Sequence, residues 1–179
     1  QRDIYEILRL VNDGYKRGGV KGPGLTAGPC LVKDGFFLLD KSPFLDLVAA
    51  AWRLNENIPG FLLNKIKNEL GSLEGKKVAL LGLAFKKNID DLRYSLSVKL
   101  QNYLLTEGAQ VFSHDPLIKS QPLEKCLKSA DVVIAAVNHD AYSKIKLSSI
   151  RKLARKESFV CDIWNIFGTG KIFFYLNHE

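Results

Sequence analysis

At 179 residues, 46% of them hydrophobic, the chain can bury a core as one domain or as a domain with an appended helical segment. Its net charge of +7 fits either a solvated basic surface or an anionic partner such as a phosphorylated substrate, a membrane surface or nucleic acid. Cys30, Cys126 and Cys161 are too few and too widely spaced for a disulfide framework, and His114, His139 and His178 are scattered with no Cys-x-x-Cys pair, so no metal is expected. In chain order, Ile4, Ile7, Leu8 and Val11 recur at helical spacing and predict an amphipathic helix over Asp3 to Asp13, almost at the first residue, so the chain reads as truncated. Gly14 to Gly35, dense in glycine and proline up to Cys30, reads as a loop. After the apolar run Phe36 to Leu39, Ser42 and Pro43 supply an N-cap and a first-turn proline for a helix to about Asn57. Pro59 then starts another helix, with Leu62, Ile66 and Leu70 four apart and Gly71 as terminator.

Beyond Gly75 short apolar runs alternate with amphipathic segments. Lys77 to Leu81, Ala109 to Phe112, Val132 to Val137 and Ser158 to Cys161 read as strands, and Ser97 to Glu107, Pro122 to Lys128 and Ser148 to Lys156 as helices. Strands of this kind separated by helices predict an α/β fold: a helical segment, then a Rossmann-like, doubly wound, mainly parallel sheet. The expected division is 1–72 for the helical segment and 73–179 for the sheet domain.

Basic residues are spread over Lys76, Lys77, Lys86, Lys87, Lys144, Lys146 and the cluster Arg151, Lys152, Arg155 and Lys156, without interleaved exposed aromatics, so no nucleic-acid partner is expected. No run of about 18 apolar residues occurs, and no membrane partner is expected. Gln1 to Ile7 carries charges at Arg2, Asp3 and Glu6 and lacks the apolar core of a secretory signal, so the expected location is cytoplasmic.

Two glycine-containing turns can carry chemistry. In GPGLTAGPCLVKD, Gly22 to Asp34, the glycines miss Gly-x-Gly-x-x-Gly spacing by one residue, Pro23 and Pro29 remove backbone donors, and no strand precedes them. This cannot be a dinucleotide loop, which needs free N–H groups between a strand and a helix. Cys30 is either an inert apolar thiol or a nucleophile, with Lys33 three residues on to favour a thiolate and Asp34 four residues on to orient or deprotonate a water. Cys126 and Cys161, among apolar neighbours, read as fillers. The second turn, in VALLGLAFKKNIDDLRYS, follows a strand and puts Lys86 and Arg93 at the carboxyl edge of the sheet, where open α/β domains bind ligands. Both cations suit phosphate oxygens, although on the bare pattern two solvated surface charges are the ordinarily favoured reading.

GPGLTAGPCLVKD strongly resembles the catalytic-cysteine loop of the UDP-glucose/GDP-mannose dehydrogenase family. KKVALLGLAFKKNIDDLRYS, EGAQVFSHDP, SADVVIAAVNHDAY and VCDIWNIFG are similar, in the same order, to strands and loops of that family's UDP-sugar-binding domain. The resemblance implies an NAD-dependent, two-step oxidation of a sugar C6 alcohol to a carboxylate, of the UDP-glucose to UDP-glucuronate type. It implies Cys30 as the nucleophile that retains the aldehyde as a thiohemiacetal, and Asp34 as the group assisting deprotonation or orienting the hydrolytic water. By the same resemblance Lys33 lies near the cofactor, Arg93 meets the NAD pyrophosphate, Lys86 contacts the UDP-sugar, and Gly28 lets the backbone close over it. The segments around Asp3 to Asp13 and Pro43 to Asn57 correspond to the part through which the family forms homodimers.

The departures are also specific. The chain has no Gly-x-Gly-x-x-Gly domain and starts after the lysine and asparagine that the family carries upstream of the cysteine loop, so by itself it is expected to be inactive. Thr26, Ala27, Gly28 and Pro29 replace the usual glycine pair, and Trp164 and Asn165 stand where some relatives place arginines. UDP-N-acetylmannosamine or UDP-N-acetylglucosamine is therefore an alternative substrate, and a non-catalytic nucleotide-sugar-binding module an alternative of another class.

Overall fold

The computed structural model describes residues 3–39 and 46–177. Helix α1, Ile4–Asn12, is capped by Asp3, whose Oδ1 accepts from the Tyr5 N–H at 2.8 Å. Helix α2 spans Pro29–Leu39, and α3 spans Asp46–Leu70. Then follow β1 (Lys77–Leu81), α4 (Leu96–Thr106), β2 (Gln110–His114), α5 (Leu123–Leu127), β3 (Val132–Ala135), α6 (Leu147–Leu153), β4 (Phe159–Asp162) and β5 (Phe173–Tyr175). Among the described residues one sheet forms, in the order β2-β1-β3-β4-β5, parallel except for β5, which runs antiparallel to β4. The doubly wound, mainly parallel α/β expectation holds.

The period-two geometry of β1 divides the core. Val78 and Leu80 face a layer made by Leu62, Leu63 and Ile66 of α3 and Leu96, Leu100 and Leu104 of α4. Ala79 and Leu81 face the opposite layer, with Cys126 and Leu127 of α5, Ile150 of α6, and Tyr142. Each fully buried leucine or isoleucine contributes about 1.5–3 kcal/mol of transfer free energy. Cys126 and Cys161 are buried in these layers, as fillers, and burial pushes both thiols up.

Three expectations are corrected. The glycine-rich stretch ends at Gly28, not Gly35: Pro29 opens a helix, the position where its missing N–H costs nothing, and the Gly28 carbonyl accepts from the Val32 N–H at 3.3 Å. Cys30 therefore lies in the first turn of a helix. Pro59 does not separate two helices but sits buried inside α3. One backbone hydrogen bond is lost there, while Leu62, Leu63 and Ile66 anchor the following turns in the core, and packing outweighs propensity. The chain also forms an edge strand, β5, that the strand pattern above does not include, although Phe173, Phe174 and Tyr175 carry strong strand propensity. The predicted cap at Ser42 and Pro43 lies outside the described residues.

Candidate active site

The strand order reverses around β1, with β2 on one side and β3 on the other, so the loops after β1 and β3 diverge and leave a crevice at their carboxyl ends. Gly82 begins the first of these loops at φ +95°, and a Cβ there would overlap Val137 at the end of β3. Only glycine permits that approach. Leu83 and Ala84 then donate their N–H groups to Oδ2 of Asp115 at 2.7 and 3.1 Å, and Leu117 donates to Oδ1 at 3.0 Å. Burial works to raise the Asp115 carboxyl, but His139 and these backbone donors outweigh it and hold the group well below the usual carboxylate range.

Lys86 is exposed on this loop and, among the described residues, joins no ion pair. Its neighbour Lys87 pairs with Asp140 at 3.2 Å. Arg93 is exposed and gripped by Asp91, with Nε and Nη2 both donating to the carboxylate at 2.7–3.1 Å. That hydrogen bonding, then the Asp91 charge, raises Arg93.

Two close approaches seat the cysteine segment on the sheet edge. A Cβ on Gly24 would overlap the Trp164 ring, and Trp164 Nε1 donates to the Ala136 carbonyl at 2.8 Å. A Cβ on Gly28, which is buried at φ +120°, would stand 2.6 Å from Cε2 of Phe85. From the other side Asn55 of α3 donates to the Thr26 carbonyl at 2.7 Å. Cys30 is exposed, and Asp34, one helical turn later, is on the same face of α2. Both line a cavity of about 670 Å³ walled by Leu31, Phe36, Val48 and Trp52. Lys33 points to Asp34 at 3.8 Å and lies over the Phe37 ring, 5.9 Å from its centroid.

The structure therefore brings Gly28 and Asp34 together with Cys30, puts Lys86 on the same loop as Phe85, and leaves Arg93 held by Asp91. Residues the sequence reading did not single out as site residues are Asp115, His139 and Asn88, which brace that loop. In the sequence His139 is one of three scattered histidines, whereas the fold puts the His114 and His139 rings each 5.7 Å from the Tyr142 ring. Among the described residues no cluster of three or more His, Cys, Asp or Glu side chains could hold a metal, and no helix is long and apolar enough to cross a membrane.

A family model for the UDP-glucose/GDP-mannose dehydrogenase family, UDP binding domain, matches residues 79–169, half of the chain, from within β1 to beyond β4. The chain belongs to this family. A UDP-N-acetyl-D-mannosamine dehydrogenase of Methanocaldococcus jannaschii is 30% identical over 172 residues, which are 92% of this chain and 40% of that protein. The structure of UDP-D-ManNAc dehydrogenase from Pyrococcus horikoshii superposes with a TM-score of 0.81 at 30% identity, over 92% of this chain and 41% of the other. A UDP-glucose dehydrogenase from Pyrobaculum islandicum gives 0.74 at 28% identity, over 90% and 40%. The chain thus spans about two fifths of the length of the family members it matches.

Proposed function

We propose that the chain is the nucleophile-bearing and UDP-sugar-holding part of an NAD-dependent nucleotide-sugar 6-dehydrogenase, with 1–72 as the helical segment and 73–179 as the UDP-sugar domain. The observation that carries this reading is the placement of Cys30 and Asp34 one turn apart at the start of α2, facing one cavity and seated on the UDP-binding loop through Gly28 and Phe85. Lys86 contacts the diphosphate or sugar of the substrate from that loop. The Cys30 sulfur adds to the C6 aldehyde of the bound sugar, giving a thiohemiacetal that cannot diffuse away, and after the second oxidation the carbon is held as a thioester. Asp34 takes a proton from the water that attacks the thioester, and the Cys30 thiol leaves as the carboxylate forms. NAD, when bound, accepts a hydride in each oxidation.

Arg93 fits an edge of that cofactor, because it is an exposed guanidinium on the loop after β1 and its fork suits a pyrophosphate. Lys33, exposed on α2 three residues after Cys30, is the second cation proposed to lie near the cofactor. The similarity to UDP-N-acetyl-D-mannosamine dehydrogenases favours an N-acetylated substrate over UDP-glucose. The apolar side chains Ile7, Leu10 and Val11 exposed on α1 support a homodimer through the helical segment, and the expected location is cytoplasmic.

Because the 179 residues hold no Gly-x-Gly-x-x-Gly loop, the isolated chain should produce no NADH from UDP-glucose or UDP-N-acetylmannosamine, yet either sugar nucleotide should protect Cys30 from iodoacetamide. NADH production would overturn the division of labour. Absence of protection would overturn the site. Protection by UDP-sugar with no loss of turnover on Cys30→Ser in the complete enzyme would favour a binding module over a catalytic one.

A further inference from the structure

The loop between β1 and α4 is braced from beneath by side chains that the proposed chemistry leaves unused. Asp115, at the carboxyl end of β2, accepts from Leu83 and Ala84 at its start. At its far end the Asn88 N–H donates to Nδ1 of His139 at 2.9 Å, so the ring proton sits on Nε2 and is donated to Oδ2 of Asp115 at 3.1 Å. The side chains of His139 and Asp115 are 1% and 0% exposed. Asn88 itself holds φ +59°, and its carboxamide exchanges two hydrogen bonds with Asp140, at 2.6 and 3.1 Å. Residues 83–88 are therefore tied at both ends by one continuous network. Between the ties lie Phe85, packed on Gly28 near Cys30, the exposed Lys86, and Lys87, which pairs with Asp140 at 3.2 Å.

A buried polar pair is a weak source of stability, since apolar side chains of similar volume are often as good or better. What this pair can do that apolar groups cannot is dictate where four backbone N–H groups point, and with them the path of a short loop. A lysine on a freely moving loop would have to be ordered on binding, which weakens the interaction.

We propose that Asp115 and His139 are positioning residues for nucleotide-sugar recognition, fixing the 83–88 loop so that Lys86 meets the ligand while Phe85 holds the start of the Cys30 helix. This rests on the reading of Lys86 as a substrate contact. His139 acts through its neutral ring, as acceptor from Asn88 and donor to Asp115 at once. His139→Gln keeps a donor near Nε2 and loses the acceptor for Asn88, whereas His139→Asn keeps an acceptor near Nδ1.

The test is a double-mutant cycle on the 179-residue chain, with UDP-N-acetylmannosamine and UDP-glucose as probes in calorimetric titration. Lys86→Ala should weaken binding about tenfold or more, as loss of a charge-assisted hydrogen bond does. His139→Gln should weaken it comparably, and the double variant should bind little worse than either alone, because a misplaced Lys86 has nothing left to lose. His139→Asn should recover part of the loss. If Lys86→Ala weakens binding and His139→Gln does not, or if the two effects multiply, the positioning role is overturned while the site reading stands. If Lys86→Ala leaves binding unchanged, the assignment of Lys86 fails and the inference with it. Should His139→Gln not fold, Asn88→Gly, which keeps the left-handed backbone and removes only the carboxamide tie to Asp140, enters the same cycle under the same criteria.

Discussion

Gly28 and Phe85, from opposite ends of the site, touch so closely that a single added methyl group at Gly28 would stand 2.6 Å from the Phe85 ring. The contact joins the residue before the Cys30 helix to the loop that carries Lys86. Gly28→Ala should therefore destabilise the chain by about 1–3 kcal/mol, the cost of forcing a side chain to φ +120° in a filled space. Urea denaturation measures this, and an unchanged midpoint would mean that the two segments are not in contact.

Alkylation should separate the three thiols. Cys30 is exposed while Cys126 and Cys161 are fully buried, with thiols pushed up by desolvation. Iodoacetamide on the native chain should add one equivalent rapidly, mapped to Cys30 by peptide mass spectrometry. The other two should react only in denaturant.

Trp164 bridges the end of β3 and the cysteine segment, through its bond to the Ala136 carbonyl and its contact with Gly24. Trp164→Ala removes a partly buried ring and should cost up to about 3 kcal/mol. It should also change the alkylation rate of Cys30, which a purely local loss of packing would leave alone. Trp164→Phe, which keeps the ring contact, should restore the rate more than the stability.

The network at Asp115 predicts a pH dependence. The folded carboxyl lies well below its ordinary value of about 3.9, so its contribution is fully present above that range and is lost as pH falls through it. The stability difference between the native chain and Asp115→Asn should be constant from neutral pH to about 5 and narrow on further acidification. Urea titrations at a series of pH values give the difference directly, and a gap that widened with acid would contradict the assigned bonds. Asp162, raised by burial despite the N–H groups of Ile166 and Phe167, acts in the opposite sense in both proteins and cancels in the comparison.

Much of the framework was legible in the residues. The apolar runs at Lys77, Val132 and Phe159 became the parallel strands because short apolar β-branched stretches bury both faces wherever the rest of the chain lies. The cysteine segment was legible as chemistry and misread as conformation. Gly28 and Pro29 were a helix-start signal, hidden by the glycine density around them and by Gly35, which a helix interior tolerates at a cost of about 1 kcal/mol. Pro59 misled for a related reason, since propensity is local and the burial of Leu62 and Ile66 is not.

Sequence by itself determined the α/β class and the apolar setting of Cys126 and Cys161, and it marked Cys30, Lys86 and Arg93 as candidates. These follow from periodicity, composition and motif, which act over a few neighbouring residues. Only tertiary structure decided that Cys30 lies in the first turn of a helix, that Gly28 packs on Phe85, and that Asp115 and His139, 24 residues apart, share a hydrogen bond beneath the Lys86 loop. Those relationships depend on strand order, and strand order is set by how the helices cover the two faces of the sheet, a property of the whole packed chain.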